Sequence, residues 1–405
     1  MAFLDPSHPA EVVDIIRAHA SDRKPLAIQG QGTKAGLGRL VTADDTLSLR
    51  SLSGIVSYQP EELVLTAKSG TPLREITEAL VAKRQHLAFE PIASASLFGP
   101  SNEGGSIGGV LAANLAGPRR PMAGSARDHF LGFSAVSGRG ETFKSGGRVV
   151  KNVTGYDLCK LMAGSWGTLA ALTEVTIKVL PRPETEETIV IFGLDEPAAI
   201  RAMGAAMGSP YEVSGAAHLP AGIAVRIPGP WGSQPVTALR LEGVGVSVVH
   251  RRRTLRAEMR PHGALALLAE QESRAFWRKV RDVEPFAAES VKERPVWRIS
   301  TVPSKGAELA RMVASQVAAE FVYDWAGGLV WAAAAPASDA GEAAVRAAVA
   351  AFGGHATLVR APAAVRAVFG AFEPQDQGLA ALTKRVKEGF DPKGVLNPGR
   401  MWAGV

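Results

Sequence analysis

A short apolar run, Pro25-Leu-Ala-Ile28, leads straight into Gln29-Gly-Gln-Gly-Thr-Lys-Ala-Gly36, and that junction limits the folds open to the chain. Its glycines let the backbone take positive φ and let a bound group come close. Successive N–H groups in such a turn form a nest for an anion. Two common phosphate loops do not fit. A Walker A loop needs Gly-Lys followed by Ser or Thr, and the order here is Gly-Thr-Lys. A Rossmann turn needs a helix directly after the glycines and an acid about twenty residues on. Here Gly36-Leu-Gly38 and Val41–Leu49 read as turn and strand. Taken alone, the loop has two readings. It is an anion nest, with a hydroxyl from Thr33 and a charge from Lys34, or it is a plain hairpin turn.

Three further strings keep the loop company. Gly104-Gly-Ser-Ile-Gly-Gly-Val-Leu-Ala-Ala-Asn-Leu-Ala-Gly117 runs from glycines into small residues. Small side chains let a helix start approach a pyrophosphate or a flat ring; tight helix packing is the other explanation. Ala126-Arg-Asp-His-Phe-Leu-Gly132 precedes a strand. Lys151-Asn-Val-Thr-Gly-Tyr-Asp-Leu158 is followed by Gly164-Ser-Trp-Gly-Thr168 and the strand Glu174–Val179.

The chain has 405 residues, more than one compact core holds, so two domains are expected. Pro9–Ala20 reads as a helix, with Val12, Ile15 and Ile16 on one face. Leu63–Ala67 and Phe133–Ser137 read as strands. Thr71 reads as the N-cap of a helix that begins with Pro72 and runs through Ile76, Leu80 and Val81. The two prolines of Leu180-Pro-Arg-Pro-Glu184 mark a boundary. Beyond it, strands are expected at Thr188–Phe192, Ala224–Ile227, Gly245–His250, Pro295–Val302, Gly328–Ala333 and Ala356–Arg360. Helices between them suggest an α+β domain with an antiparallel sheet. A basic helix at Leu379–Glu388 leads to Phe390-Asp-Pro-Lys-Gly-Val-Leu-Asn-Pro-Gly-Arg400.

Other features narrow the class. The single cysteine, Cys159, rules out a disulfide framework or a cysteine cluster within these residues, and suits a reducing cytoplasm. The N-terminus lacks the basic and apolar regions of a signal peptide. No run approaches 18 apolar residues, so no membrane span is expected. The net charge of +6 is scattered, and the run His250-Arg-Arg-Arg253 reads as a solvated strand end or loop rather than a nucleic-acid patch.

In this order, the motifs resemble the FAD-binding domain of the vanillyl-alcohol-oxidase / p-cresol methylhydroxylase (PCMH-type) superfamily, over about residues 5–180 and the tail ending Asn397-Pro-Gly-Arg400. Lys151–Leu158 with Gly164–Thr168 resembles its glycolate oxidase and D-lactate dehydrogenase branch. Phe276-Trp-Arg-Lys, Pro295-Val-Trp-Arg-Ile-Ser300, Tyr323-Asp-Trp-Ala-Gly-Gly-Leu-Val-Trp331 and Gly353-Gly-His-Ala-Thr357 are similar to the FAD-binding subunits of glycolate oxidase. The implied fold class is α+β. A PCMH-type FAD-binding domain of two α+β subdomains would fill residues 1–180. A smaller α+β cap domain with an antiparallel sheet would fill 181–370, and a tail over 371–405 would return to the FAD domain.

The resemblance also implies roles. Gly30, Gln31, Gly32, Thr33 and Lys34 would hold the FAD pyrophosphate mainly through main-chain N–H groups. Gly105, Ser106, Gly108 and Gly109 would lie on its other side. Asn114 and Gly117 would sit near the flavin, and Arg127 and Asp128 would stabilise the loop or touch the cofactor. Gly164, Ser165, Gly167, Thr168, Glu174 and Ile177 would line the adenine and ribose region. Tyr156 and Asn397 would lie near the isoalloxazine ring. Implied partners are a paralogous FAD-containing subunit that oxidises a small 2-hydroxy acid and an iron–sulfur subunit that accepts electrons. A self-sufficient glycolate or D-lactate dehydrogenase and a non-catalytic structural subunit are the alternatives.

Departures from the family matter as much. Residues 29–39 contain no histidine, so FAD is expected to be non-covalent. The metal-binding His-Pro-Gly-Asp-Gly-Asn-x-His segment of related dehydrogenases is missing, and no metal site is expected. Oxidising a hydroxy acid needs a cation for the carboxylate and a base for the hydroxyl proton. Arg298 is a candidate for the first and His355 for the second, with Tyr156 a further candidate. No recognisable constellation brackets any of them.

Overall fold

A computed structural model describes residues 2–93, 97, 104–148 and 155–405. The motif residues Lys151 to Thr154 lie outside them. Backbone contacts divide the chain into two compact units. The first comprises Met1–Ala116, Gly124–Arg182 and Pro374–Val405; the second comprises Gly117–Ala123 and Pro183–Glu373. The architecture is α+β.

The first unit holds two main sheets. A small parallel sheet orders Phe3–Leu4, Asp45–Ser48 and Leu26–Gln29. The helix Pro9–Asp22 buries Val12 and Ile16 in the core this sheet shares with Leu26, Leu47 and Leu396. The Val41–Leu49 strand is shorter than expected, Asp45–Ser48. The second sheet is antiparallel and orders Ile55–Gln59, Val64–Lys68, Ala170–Lys178, Phe130–Ser137 and Thr142–Gly146. Its core packs Leu65, Ile76, Leu111, Phe133 and Val175.

Thr71 does not cap the following helix, Leu73–Ala82; Pro72 occupies the N-cap. The Thr71 hydroxyl donates to the Lys68 carbonyl (2.6 Å) and accepts from the Gly54 N–H (3.0 Å). It closes the strand–helix turn instead, because its backbone is already bonded to the facing glycine segment.

The second unit is built on one eight-stranded antiparallel sheet. Its order is Leu265–Leu268, Thr185–Phe192, Val236–Gly243, Gly215–Leu219, Ala319–Asp324, Leu329–Ala334, Val296–Ser300, His355–Arg360. Two expected strands are not strands. Gly245–His250 belongs to the helix Gly245–Met259, whose buried positions are Val248, Arg251, Leu255 and Met259. Those positions follow helical spacing, but a charge at 251 hides it. Ala224–Ile227 lies at the end of the short helix Ala221–Ala224. The basic run His250–Arg253 is therefore helical and partly internal. Arg251 is buried and donates to the carbonyls of Tyr211 (3.0 Å) and Glu242 (2.6 Å); Arg252 pairs with Glu187 at 2.9 Å.

The Gly117–Ala123 stretch joins this unit through charge. Arg119 clasps Glu242 with two nitrogens and lies 3.5 Å from Glu186. Burial, then the charge of Glu242 against the opposing pull of Arg240, raises the Glu186 carboxyl to about 7. Among the described residues, no helix is long and apolar enough to cross a membrane.

Candidate functional site

The two glycine segments meet within the first unit. Leu26–Gln29 delivers the chain to a loop in which Gly32 has φ +73° and Leu37 N–H bonds to the Lys34 carbonyl at 3.1 Å. A Cβ on Gly30 would lie 2.1 Å from Ser106 Oγ. One on Gly105 (φ +85°) would lie 2.7 Å from Thr33 Oγ1 and 3.2 Å from Lys34 Nζ. Glycine at each position leaves room for a side chain of the facing segment, Ser106 against Gly30 and Thr33 and Lys34 against Gly105, so the two segments pack closely face to face. Gln31 ties the first wall down by donating to the Gly70 carbonyl (3.0 Å). Lys34 is half-buried, and desolvation lowers its ammonium to about 8.

The second wall is set by a loop that sequence reading missed, Ser69-Gly70-Thr71. Gly108 N–H donates to the Ser69 carbonyl (2.8 Å), Ile107 N–H to that of Thr71 (3.0 Å), and Leu73 N–H to that of Gly105 (2.9 Å). A Cβ on Gly108 would stand 2.7 Å from Ser69 Cβ, and one on Gly70 would stand 2.0 Å from the Leu49 carbonyl oxygen. Ser106 caps the helix Ile107–Ala113 by accepting from Gly109 N–H at 3.3 Å. Ser69 Oγ is buried without a hydrogen-bond partner among the described residues. An orphaned hydroxyl beside a glycine backbone fits a bound polar group. The Ser-Gly pair between a strand and a helix is the signal that could have found this loop.

The remaining expected residues take mixed positions. Asn114 ends the same helix with φ +50° and accepts from Arg127 N–H at 2.9 Å. Arg127 donates in turn to the Lys160 carbonyl (3.3 Å). Asp128 forms a capping box with Ser125, accepting from its N–H (2.8 Å) and hydroxyl (2.9 Å). Gly164 and Gly167 take φ +83° and +71°, and the Thr168 hydroxyl donates to the Ser165 carbonyl at 2.8 Å. Asn397 spends its amide on backbone: Ile28 N–H donates to it at 2.7 Å, and it donates to the Trp166 carbonyl at 2.8 Å. It joins the tail, the first strand and the Gly164–Thr168 turn. Glu174 pairs in register with Lys68, and Ile177 is fully buried in the core. Tyr156 is 88% exposed.

Gly117 belongs to the second unit, as do Arg298 and His355. The Gly117 carbonyl accepts from Trp325 Nε1 at 3.0 Å. Arg298 lies on the strand Val296–Ser300, and His355 opposes Ser300 on the neighbouring strand. Partial burial, then the charge of Arg298, lowers the His355 imidazole; Glu373 opposes and Arg120 adds to the lowering. Among the described residues, no three His, Cys, Asp or Glu side chains gather as a metal-ligand set.

The model of a family described as an FAD binding domain matches residues 1–146. The chain is 35% identical over 385 residues to glycolate oxidase subunit GlcE of Escherichia coli (strain K12), covering 95% of this chain and 94% of that one. It is 30% identical over 190 residues to glycolate oxidase subunit GlcD of Bacillus subtilis (strain 168), covering 47% and 39%. A solved structure of p-cresol methylhydroxylase superposes with a TM-score of 0.71 at 12% identity, covering 100% of this chain and 88% of that one. That last likeness concerns the fold, which is PCMH-type.

Proposed function

The chain belongs to the family of glycolate oxidase subunit GlcE, and from that premise we propose that it is the FAD-binding subunit of a complex that oxidises glycolate to glyoxylate. One observation carries the reading: kinship along nearly the whole chain coincides with two glycine segments that face each other closely, with Ser106, Thr33 and Lys34 set against bare Cα atoms. Bound FAD supplies a two-electron acceptor. The chain's own residues hold and orient it. Main-chain N–H groups of Gly30 to Lys34 take the diphosphate on one side; Gly105, Ser106, Gly108 and Gly109 lie on the other, where the N–H groups of Gly108 and Gly109 are already bonded to the Ser69 carbonyl and Ser106 Oγ. Ser69 Oγ offers a hydrogen bond it does not make among the described residues.

The partners in this reading are a paralogous flavin subunit, where the acid is oxidised, and an iron–sulfur subunit. One cysteine in 405 residues cannot ligate a cluster of the usual four-thiolate kind, so that centre belongs to another chain. The complex is placed in the cytoplasm, with any membrane association made through partners. A second reading, a self-sufficient metal-independent dehydrogenase of glycolate or D-lactate, draws on the cationic pair Arg120 and Arg298. Visible spectroscopy of the purified chain, followed by dye reduction with glycolate, separates the two. Flavin bands without turnover, and turnover on adding the partner subunits, are expected; turnover by the chain alone would favour the second reading.

Attachment is non-covalent in this proposal. Burial, and then the charge of Asp157, push the Cys159 thiol up to about 11, and His129 is buried against Phe89. Neither is poised as a nucleophile. Acid precipitation of the holoprotein is expected to release all its flavin into the supernatant; flavin fluorescence in the pellet would refute this.

Lys34 makes binding pH-dependent. Without a bound anion, desolvation holds its ammonium down at about 8. A bound diphosphate favours the charged form, so FAD binding takes up a proton above that pH. FAD affinity at constant ionic strength is expected to be roughly tenfold weaker at about pH 9 than at about pH 7. Lys34→Met is expected to bind more weakly at both and to lose the dependence. A flat wild-type profile would remove Lys34 from the diphosphate site.

A further inference from the structure

Arg298 occupies an inner strand of the second unit's sheet, with Trp331 opposite on one side and Thr357 on the other. Only 9% of it is exposed. Its Nε is buried without a hydrogen-bond partner, and among the described residues no hydrogen bond or ion pair reaches its guanidinium. An uncompensated buried charge is costly. The neighbourhood adds a second cation. Arg120, itself exposed, stacks over the Trp325 ring at 4.5 Å, and Arg298 stacks over the same ring at 5.0 Å and over Trp331 at 6.0 Å. Indole faces offset part of the cost. They do not remove the repulsion between two guanidinium groups.

The charges around it are mixed: Arg120 and Arg298 stand with Asp324, while Glu373 pairs with Arg346 at 2.6 Å. Asp324 is the acid that favours the charged form of Arg298, while Arg120 opposes it. The Asp324 carboxylate accepts from Trp325 N–H at 2.7 Å. His355 stands on the next strand, with Glu373 beyond. The indole they share is held firmly. Trp325 Nε1 donates to Gly117, and Trp325 and Ala326 both take left-handed φ values, +51° and +56°. Strain of that kind persists only where the surroundings enforce it.

We propose that Arg298 and Arg120, gathered on Trp325, form a binding site for the carboxylate of a small organic acid. A carboxylate is flat and matches the edge of a guanidinium with two parallel hydrogen bonds. The Trp325 and Trp331 rings lie 5.0 and 6.0 Å from the Arg298 guanidinium, and its Nε has no hydrogen-bond acceptor among the described residues, so its N–H groups are what a ligand would meet. A tetrahedral phosphate needs room out of that plane. The site deepens the function proposed above by giving this chain its own hold on a 2-hydroxy acid, and it rests on that reading only for glycolate as the acid.

Calorimetric titration of the FAD-loaded chain with glycolate, acetate and inorganic phosphate tests it. Glycolate and acetate are expected to bind, and phosphate at least tenfold more weakly. Arg298→Gln is expected to weaken glycolate about 10- to 100-fold. The exposed Arg120→Gln, which leaves the sheet core untouched, is expected to weaken it by a similar factor, with the flavin spectrum unchanged in both. Unchanged affinity in Arg120→Gln, or phosphate binding as tightly as glycolate, would overturn the proposal. Dye reduction by the assembled complex separates the two readings. If the carboxylates bind as described but glycolate reduces nothing, the site stands and the glycolate function falls. If reduction proceeds and the variants bind like wild type, the site falls alone.

Discussion

Gly105→Val is expected to weaken FAD binding about 100-fold or more, equivalent to about 2.7 kcal/mol. Two separate causes add. The residue holds φ +85°, which a β-branched side chain resists. The new Cβ would also stand 2.7 Å from Thr33 Oγ1 and 3.2 Å from Lys34 Nζ. The clash falls on Thr33 and Lys34, the residues proposed to face the diphosphate, and relieving it displaces them. Gly147→Ala is the control, since nothing lies within 4 Å of a Cβ there. Flavin fluorescence titration measures both. Wild-type affinity in Gly105→Val would mean that the two glycine walls do not enclose the cofactor.

Lys387→Met should be the most destabilising of the conservative changes in the tail, by about 3–5 kcal/mol. Lys387 and Asp391 are 3% and 1% exposed. The ammonium donates to the carbonyls of Thr168 (2.7 Å) and Leu396 (2.8 Å) and to Asp391 (2.7 Å). Asp391 also accepts from Val395 N–H (3.1 Å) and Leu396 N–H (2.8 Å). Methionine keeps the stem's packing but leaves a buried carboxylate and two buried carbonyls without their cation. Urea unfolding of the full chain is the measurement. Because one network is shared, Lys387→Met with Asp391→Asn is expected to cost less than the sum of the single changes. Additive effects, or a loss under about 1 kcal/mol, would show that the tail is not anchored through this pair.

The two glycine loops were legible because their signal is local. Glycine strings at 30–36 and 104–109 mark backbone that must bend left-handed or touch another backbone, and glycine alone permits both. Regular elements with clean periodicity were equally plain, such as the helix Gln377–Phe390 and the strand Thr185–Phe192. Reading failed where a charge occupies a core position. Arg251 interrupts the buried face of Gly245–Met259, leaving Val246, Val248 and Val249 to imitate a strand. Arg240, fully buried against Trp277, likewise masks the strand Val236–Gly243. Small residues hid Gly215–Leu219, which is buried throughout and has little β-branched character.

The sequence by itself determined the kind of backbone this protein needs, the absence of a histidine from the first loop, and the motif order of a PCMH-type FAD fold. Those properties reside in neighbouring residues and survive without knowing the fold. Only the tertiary structure decided which residues meet. It set Ser69 under Gly108, carried Lys387 to Thr168, turned Asn397 into a brace between Ile28 and Trp166, and gathered Arg120 and Arg298 on one indole. Each of these is a single side chain whose partner is fixed by sheet register and chain crossing, and such partners leave no periodic trace in the sequence.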